Sequence, residues 1–152
     1  MNINWETYKF HQLTTEQLYD LIKFRVDIFV VEQRCPYPEL DNKDRHAETI
    51  HIAGYDNSGV LVAYARLLPS GVSYTDVSIG RFAVSEAMRR QGIGSQLLER
   101  SLQEIEQHWP DMAIRISAQE YLCGFYEKFN FEKVSESYLE DGIPHVEMLK
   151  TV

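Results

Sequence analysis

The stretch Phe82-Ala83-Val84-Ser85-Glu86-Ala87-Met88-Arg89-Arg90-Gln91-Gly92-Ile93-Gly94 decides how the rest of the chain is read. Val84 closes a β-rich run, and Ile93, Leu97, Leu98, Leu102 and Ile105 then recur at the period of an amphipathic helix that ends near Trp109-Pro110. A short β-rich run, Ile114 to Ala118, follows. Strand, helix, strand at this spacing predicts a crossover unit. Its two strands are parallel neighbours, with loop 89–94 at their carboxyl ends, where ligands bind in open sheets.

Working outward, Thr14 and Gln17 have the spacing of a capping box, and Leu18, Leu21, Ile22, Val26 and Phe29 predict a first amphipathic helix over about 15–30. A polar, irregular segment, Glu32 to Glu48, comes next. Thr49 to Tyr55 and Val60 to Leu67 flank the turn Asp56-Asn57-Ser58-Gly59 and read as an antiparallel hairpin, and after Pro69-Ser70-Gly71 a longer strand-like run continues to Val84. Beyond the crossover the sequence predicts a helix over about 120–129. Two strands follow, Lys133 to Tyr138 and His145 to Lys150, separated by the turn Glu140-Asp141-Gly142-Ile143-Pro144. The sum is an α/β (α+β) chain: one domain over residues 1–152, a mixed sheet covered by helices, without repeats or low-complexity linkers.

Composition narrows the setting. The longest apolar run, Val60 to Ala65, falls far short of the roughly 20 residues of a membrane-spanning helix, and the start of the chain lacks the apolar core of a signal peptide, so a cytoplasmic protein is expected. Cys35 and Cys123 are too few for a disulfide framework, and with the five histidines they form no compact metal-ligand spacing, so no metal is expected. A formal net charge of -8 gives no general attraction to nucleic acid or to an anionic membrane, so any anionic ligand needs a local basic site.

Arg89 to Gly94 is such a site. The first N–H groups of a helix lack internal partners and lie at the positive end of its dipole, and two glycines let the backbone approach an anion closely. Arg89 and Arg90 add charge. A dinucleotide fingerprint requires glycine where Leu97 stands, and a Walker loop requires Gly-Lys-Ser/Thr, so both rival phosphate motifs fail. The bland alternative is a strand-to-helix turn shaped by Gly92 and Gly94.

Arg89-x-x-Gly92-x-Gly94 after Phe82-Ala83-Val84, followed in order by Phe125-Tyr126-Glu127-Lys128-Phe129-Asn130-Phe131, resembles the GNAT superfamily of N-acetyltransferases. Residues 24–44 (FRVDIFVVEQRCPYPELDNKD) and 140–148 (EDGIPHVEM) are similar to its ElaA-like branch, so the resemblance spans nearly the whole chain. It implies a mostly antiparallel twisted sheet, flanked by helices, whose central parallel pair splays to admit acetyl-CoA. It implies that Gln91, Gly92, Ile93, Gly94 and Ser95 wrap the pyrophosphate, with Arg89 and Arg90 beside it. Phe82, Ala83 and Val84 then pair with the pantetheine arm, and Gln119, Leu122, Phe125 and Lys128 complete the cofactor site.

The implied activity is direct transfer of the acetyl group to a primary amine through a tetrahedral intermediate. Tyr126 matches the family's general acid, since a phenol of pKa about 10 is a reasonable donor to a thiolate of about 8.5. Its alternative is an ordinary core aromatic. Ser78 stands near the place where many relatives carry a glutamate base. His145 is the substitute base, against a structural role at the start of a strand. A backbone N–H of the 82–84 strand is the expected oxyanion donor. Glu32, Gln33 and Asp41 lie in the segment expected to receive the amine, where carboxylates attract a cation or simply form a solvated loop. Gln119, Leu122 and Asn130 depart from the wider superfamily pattern, and Asn130 is mild because asparagine tolerates left-handed backbone geometry. An acyl-CoA sensor or interaction module on the same fold is the competing reading, and an exposed last strand leaves room for a homodimer.

Overall fold

The computed structural model describes residues 2–152. Eight strands form one sheet: β1 (Asn4–Lys9), β2 (Ile50–Tyr55), β3 (Leu61–Leu68), β4 (Val77–Val84), β5 (Ile114–Gln119), β6 (Glu132–Lys133), β7 (Tyr138–Glu140) and β8 (Ile143–Lys150). Their order is β1-β2-β3-β4-β5-β8-β6, with β7 pairing on β8. Every ladder is antiparallel except β4–β5, the parallel pair predicted for the crossover.

The crossover helix α2 (Ile93–His108) buries Ile93, Leu97, Leu98 and Ile105 on one face of the sheet. Full burial of such side chains is worth about 1.5–3 kcal/mol each, so this stripe fixes the helix against β2, β3 and β4. Val77, Ile79, Ile114, Ile116, Ala118, Val146 and Met148 supply the sheet's side of that core. The opposite face carries α1 (Thr15–Val26), whose Leu21 packs with Ala53 and Tyr64. Thr14 and Gln17 close the predicted capping box, with Gln17 N donating to Thr14 Oγ1 at 3.1 Å and Thr14 N donating to Gln17 Oε1 at 3.0 Å.

The differences from the sequence reading have local causes. β1 lies outside the strands expected from sequence; its residues are half-exposed and weakly patterned, and pairing with β2 supplies what periodicity does not. The first helix leaves α geometry at Val26 and continues as a π-helix, Asp27–Glu32. The helix expected over 120–129 is a 3-10 turn, Glu120–Leu122, followed by the short α3 (Cys123–Glu127). The strand expected over 133–138 divides into β6 and β7 around Val134–Ser137. The last hairpin turns on Asp141 and Gly142 alone, with φ of 51° and 79°, so Ile143 and Pro144 belong to β8 rather than to the turn. Two consecutive positive φ values are the signature of the I′ form of the two-residue hairpin turn.

Candidate functional site

β4 and β5 hydrogen-bond only at Val77↔Ile114 and Ser78↔Arg115, although β4 continues to Val84 and β5 to Gln119. The carboxyl halves of the two central strands therefore diverge and open a slot through the sheet. A bulge in β4 helps to cause this. On β3, Tyr64 and Arg66 are two residues apart, whereas their partners Ala83 and Gly80 are three apart, and Arg81 takes a φ of 49°. The additional residue turns Arg81 toward the α1 face and Phe82 back toward the α2 core.

At the end of the slot, Gly92 caps α2 with a φ of 80°, a conformation that glycine adopts without steric cost. Gln96 N is the first amide with a helical partner, the Gly92 carbonyl at 3.2 Å. The N–H groups of Ile93, Gly94 and Ser95 therefore point out of the helix end and, with its dipole, suit a phosphate. A β-carbon at Gly94 would stand 3.9 Å from Phe125 Cζ, so this turn lies against α3. Phe82, Val84, Leu122 and Phe125 pack at the apolar border of the same slot, and Phe82 and Phe125 have ring centroids 6.0 Å apart. Arg90, with φ 64°, Gln91 and Lys128 are exposed around it.

Two further predicted residues lie on opposite faces. Tyr126, on α3, belongs to the α2-side core, with its ring 6.0 Å from Phe82 and 5.8 Å from Phe131. Burial pushes its phenol well above the usual value, so it carries its proton across the physiological range. His145, on β8, is directly opposite Gln119 in the β5 ladder, and both alternate away from Ala118 and Val146, which face the α2 core. His145 Nδ1 donates to the Ile143 carbonyl at 2.7 Å, a bond that assigns this nitrogen its hydrogen and leaves Nε2, 3.4 Å from Glu140 Oε2, as the nitrogen able to exchange a proton. Glu140 Oε1 accepts from Ser117 Oγ at 3.1 Å.

The segment predicted to receive the acceptor lies on that same face. Gln119 Nε2 donates to Gln33 Oε1 at 3.3 Å, joining two predicted site residues across 86 positions of sequence. Glu32 is held by Arg89 through two bonds, 2.6 and 2.9 Å, while Arg89 Nε donates to the Val84 carbonyl at 2.9 Å. The Arg89 hydrogen bonds and charge draw the Glu32 carboxyl below its usual range.

Asp41 is not a free acidic group awaiting a cation. It accepts from Arg66 at 2.8 and 2.9 Å and from Arg81 at 3.4 Å. Arg66 and Arg25 share Asp44, and Arg25 and Arg81 both donate to Glu39 Oε1 at 2.7 Å. Three arginines and three carboxylates thus neutralise one another under the irregular segment. Tyr37 donates to Glu39 and lies beneath the Arg81 guanidinium, 5.5 Å from ring centroid to charge. His51 completes the cluster: Nε2 donates to the Asp44 carbonyl at 3.1 Å, so Nδ1 accepts from Tyr64 Oη at 2.6 Å, and burial lowers the imidazole pKa and keeps it neutral.

This network was missed in the sequence, yet it left a signal there. Arg25 falls on the apolar stripe that runs from Leu21 of α1 to Ile28 of the π-helix, and Arg66 interrupts a β-rich run; a charge at a core position requires a partner. Ser78, near the place of the usual base, is buried in β4 and forms the last parallel pairing, with Arg115, before the slot opens.

A splayed parallel pair with a helix N-terminus at its end can receive an extended anionic ligand, strand-like along its length and capped by a phosphate. Residues 26–152 match the acetyltransferase (GNAT) domain family, and the chain belongs to it. It is 43% identical over 150 residues to Protein ElaA of Escherichia coli (strain K12), covering 99% of this chain and 97% of that protein. The crystal structure of Escherichia coli ElaA superimposes with a TM-score of 0.92 at 42% identity, covering 98% of this chain and 99% of the other. An acyl-CoA N-acyltransferase from Pseudomonas aeruginosa superimposes with a TM-score of 0.93 at 41% identity, covering 99% and 100% of the two chains.

Proposed function

We propose that this protein transfers the acetyl group of acetyl-CoA directly to a primary amine, with the thioester lying in the slot between β4 and β5. The observation that carries the reading is the divergence of β4 from β5 after Ser78 and Arg115, aligned with the partner-free N–H groups of Ile93, Gly94 and Ser95. The pyrophosphate sits on those amides beside Arg90 and Gln91. Phe82, Ala83 and Val84 offer backbone partners to the pantetheine arm, as an added strand does. Leu122, Phe125 and Lys128 border the arm on the α3 side, and Gln119 marks the opposite wall.

The two faces of the slot divide the chemistry. The neutral amine approaches from the face of His145, Gln33 and Gln119, and its nitrogen attacks the thioester carbonyl carbon. A C–N bond forms as the carbonyl oxygen gains negative charge, which a backbone N–H of the 82–84 strand stabilises. His145 Nε2, 3.4 Å from Glu140 Oε2, takes the proton that the nitrogen must lose. The C–S bond then breaks toward the other face, where the Tyr126 hydroxyl donates its proton to the departing thiolate and recovers one from solvent. The raised pKa keeps the Tyr126 phenol protonated until a thiolate forms beside it, while making it a weaker acid than a solvent-exposed tyrosine, and no acyl-enzyme on Cys35 or Cys123 is needed. Asp41 acts indirectly, by holding Arg66 and Arg81 under the acceptor face.

Calorimetric titration with acetyl-CoA, followed by assay of amine-dependent release of free CoA, tests the reading. Micromolar binding with amine-dependent turnover is expected. Binding without turnover on any amine would leave an acyl-CoA sensor as the better description, and absence of binding would reject both.

A further inference from the structure

The Arg89 side chain is fixed at three points. Nε is held by the Val84 carbonyl, and Nη1 and Nη2 form a fork closed on both oxygens of Glu32. A guanidinium fork fits two carboxylate oxygens or two phosphate oxygens equally well. Arg89 lies three residues before Gly92, at the entrance to the helix end where the pyrophosphate is placed above, and Glu32 reaches it from the end of the π-helix, 57 residues away in sequence. Glu32 also lines a cavity of about 390 Å³ with Phe24, Asp27, Ile28, Val31, Ser85 and Glu86. A displaced Glu32 side chain therefore has room to swing without unfolding α1. The segment that carries it has already left α geometry, a departure often found at functional positions.

We infer that Glu32 is a built-in competitor for acyl-CoA: it occupies the Arg89 fork in the free protein and is displaced when the pyrophosphate takes its place. This deepens the acetyltransferase reading and rests on it. Held on Val84 by Nε, the guanidinium keeps its orientation during the exchange, so Glu32 acts as a stand-in that preserves the fork for phosphate. The same exchange frees a carboxylate at the end of the acceptor-side helix only after the cofactor has bound. The two substrate sites are coupled through one side chain.

The test is calorimetric titration of acetyl-CoA into four proteins: wild type, Glu32→Gln, Arg89→Gln and the double variant. Half-exposed ion pairs of this kind are worth little, so removing the competitor should tighten acetyl-CoA by about two- to fivefold. Arg89→Gln should weaken binding, and adding Glu32→Gln to it should then change nothing. Glu32→Asp, one methylene shorter, should tighten binding as Glu32→Gln does. Unchanged or weaker binding by Glu32→Gln would overturn the inference. So would equal tightening in the Arg89→Gln background, because Glu32 would then act through its charge alone. Absence of binding by the wild type is the separate result that rejects the acetyltransferase reading itself. Thermal unfolding of each variant checks the fold, which an exposed Glu32 is not expected to affect.

Discussion

Arg81 Nε donates to Glu39 Oε1 at 2.7 Å from a backbone with a φ of 49°, so the bulge that opens the slot is clamped by a buried carboxylate from the irregular segment. The same oxygen receives Arg25. Glu39→Ala leaves Arg25 short of a partner in the interior and releases the bulge, and breaking a buried pair costs about 3–5 kcal/mol. Arg25 retains Asp44, which places the expected loss near the lower bound. Urea unfolding measures it; a change under about 0.5 kcal/mol would mean that the network contributes nothing to the fold.

The cluster also sets the acid limit of stability. Burial works to raise the Asp41 carboxyl, but the Arg66 hydrogen bonds and charge, with Lys43 N–H and Arg81, outweigh it and hold it at about 2. Asp44 is lowered too, against burial, chiefly by Arg25. A carboxyl titrating below its ordinary value of 3.8 contributes stability that is complete above that value and disappears as pH falls toward 2. His51 adds an earlier loss. Its neutral form is buried, so the unfolded chain binds the extra proton once pH drops below the ordinary 6.5. Urea midpoints should decline gently below about pH 6.5 and steeply below about pH 4. Asp41→Asn should be less stable than wild type near neutrality, with a shallower acid limb; a parallel pair of curves would remove Asp41 from this account.

Gly94→Glu separates cofactor binding from folding. A β-carbon there meets only Phe125 at 3.9 Å, and Gly94 does not need positive φ, unlike Gly92. Replacing a helical glycine gains about 0.5–1 kcal/mol, and an acid in the first turn suits the dipole. Unfolding stability should hold or rise while acetyl-CoA affinity falls by about tenfold or more, since the new carboxylate stands where the pyrophosphate is proposed to bind. Unaltered affinity would move the pyrophosphate elsewhere.

Tyr126→Phe and His145→Gln should each lower kcat by about 10²–10⁴ with little change in acetyl-CoA affinity, the range for loss of a general acid or base. The Tyr126 effect should be smallest for thioesters whose thiol has a low pKa, because such a thiolate departs without help. His145→Gln should be insensitive to the leaving group. A Tyr126 variant with uniform activity across those thioesters would return this residue to a packing role.

The crossover unit is legible in the residues alone, because the helical stripe from Ile93 to Ile105 and the glycine-marked loop before it are local signals that need no distant partner. Long-range pairing fixes β1, whose six residues are strand because β2 offers an edge, and divides 132–140 into two short strands on β8. Tertiary structure alone also put Tyr126 and His145 on opposite faces of one slot and spent Asp41 and Glu32 on arginines. These are long-range outcomes: a carboxylate takes whichever cation the fold brings within reach, and sequence spacing carries no record of which one that is.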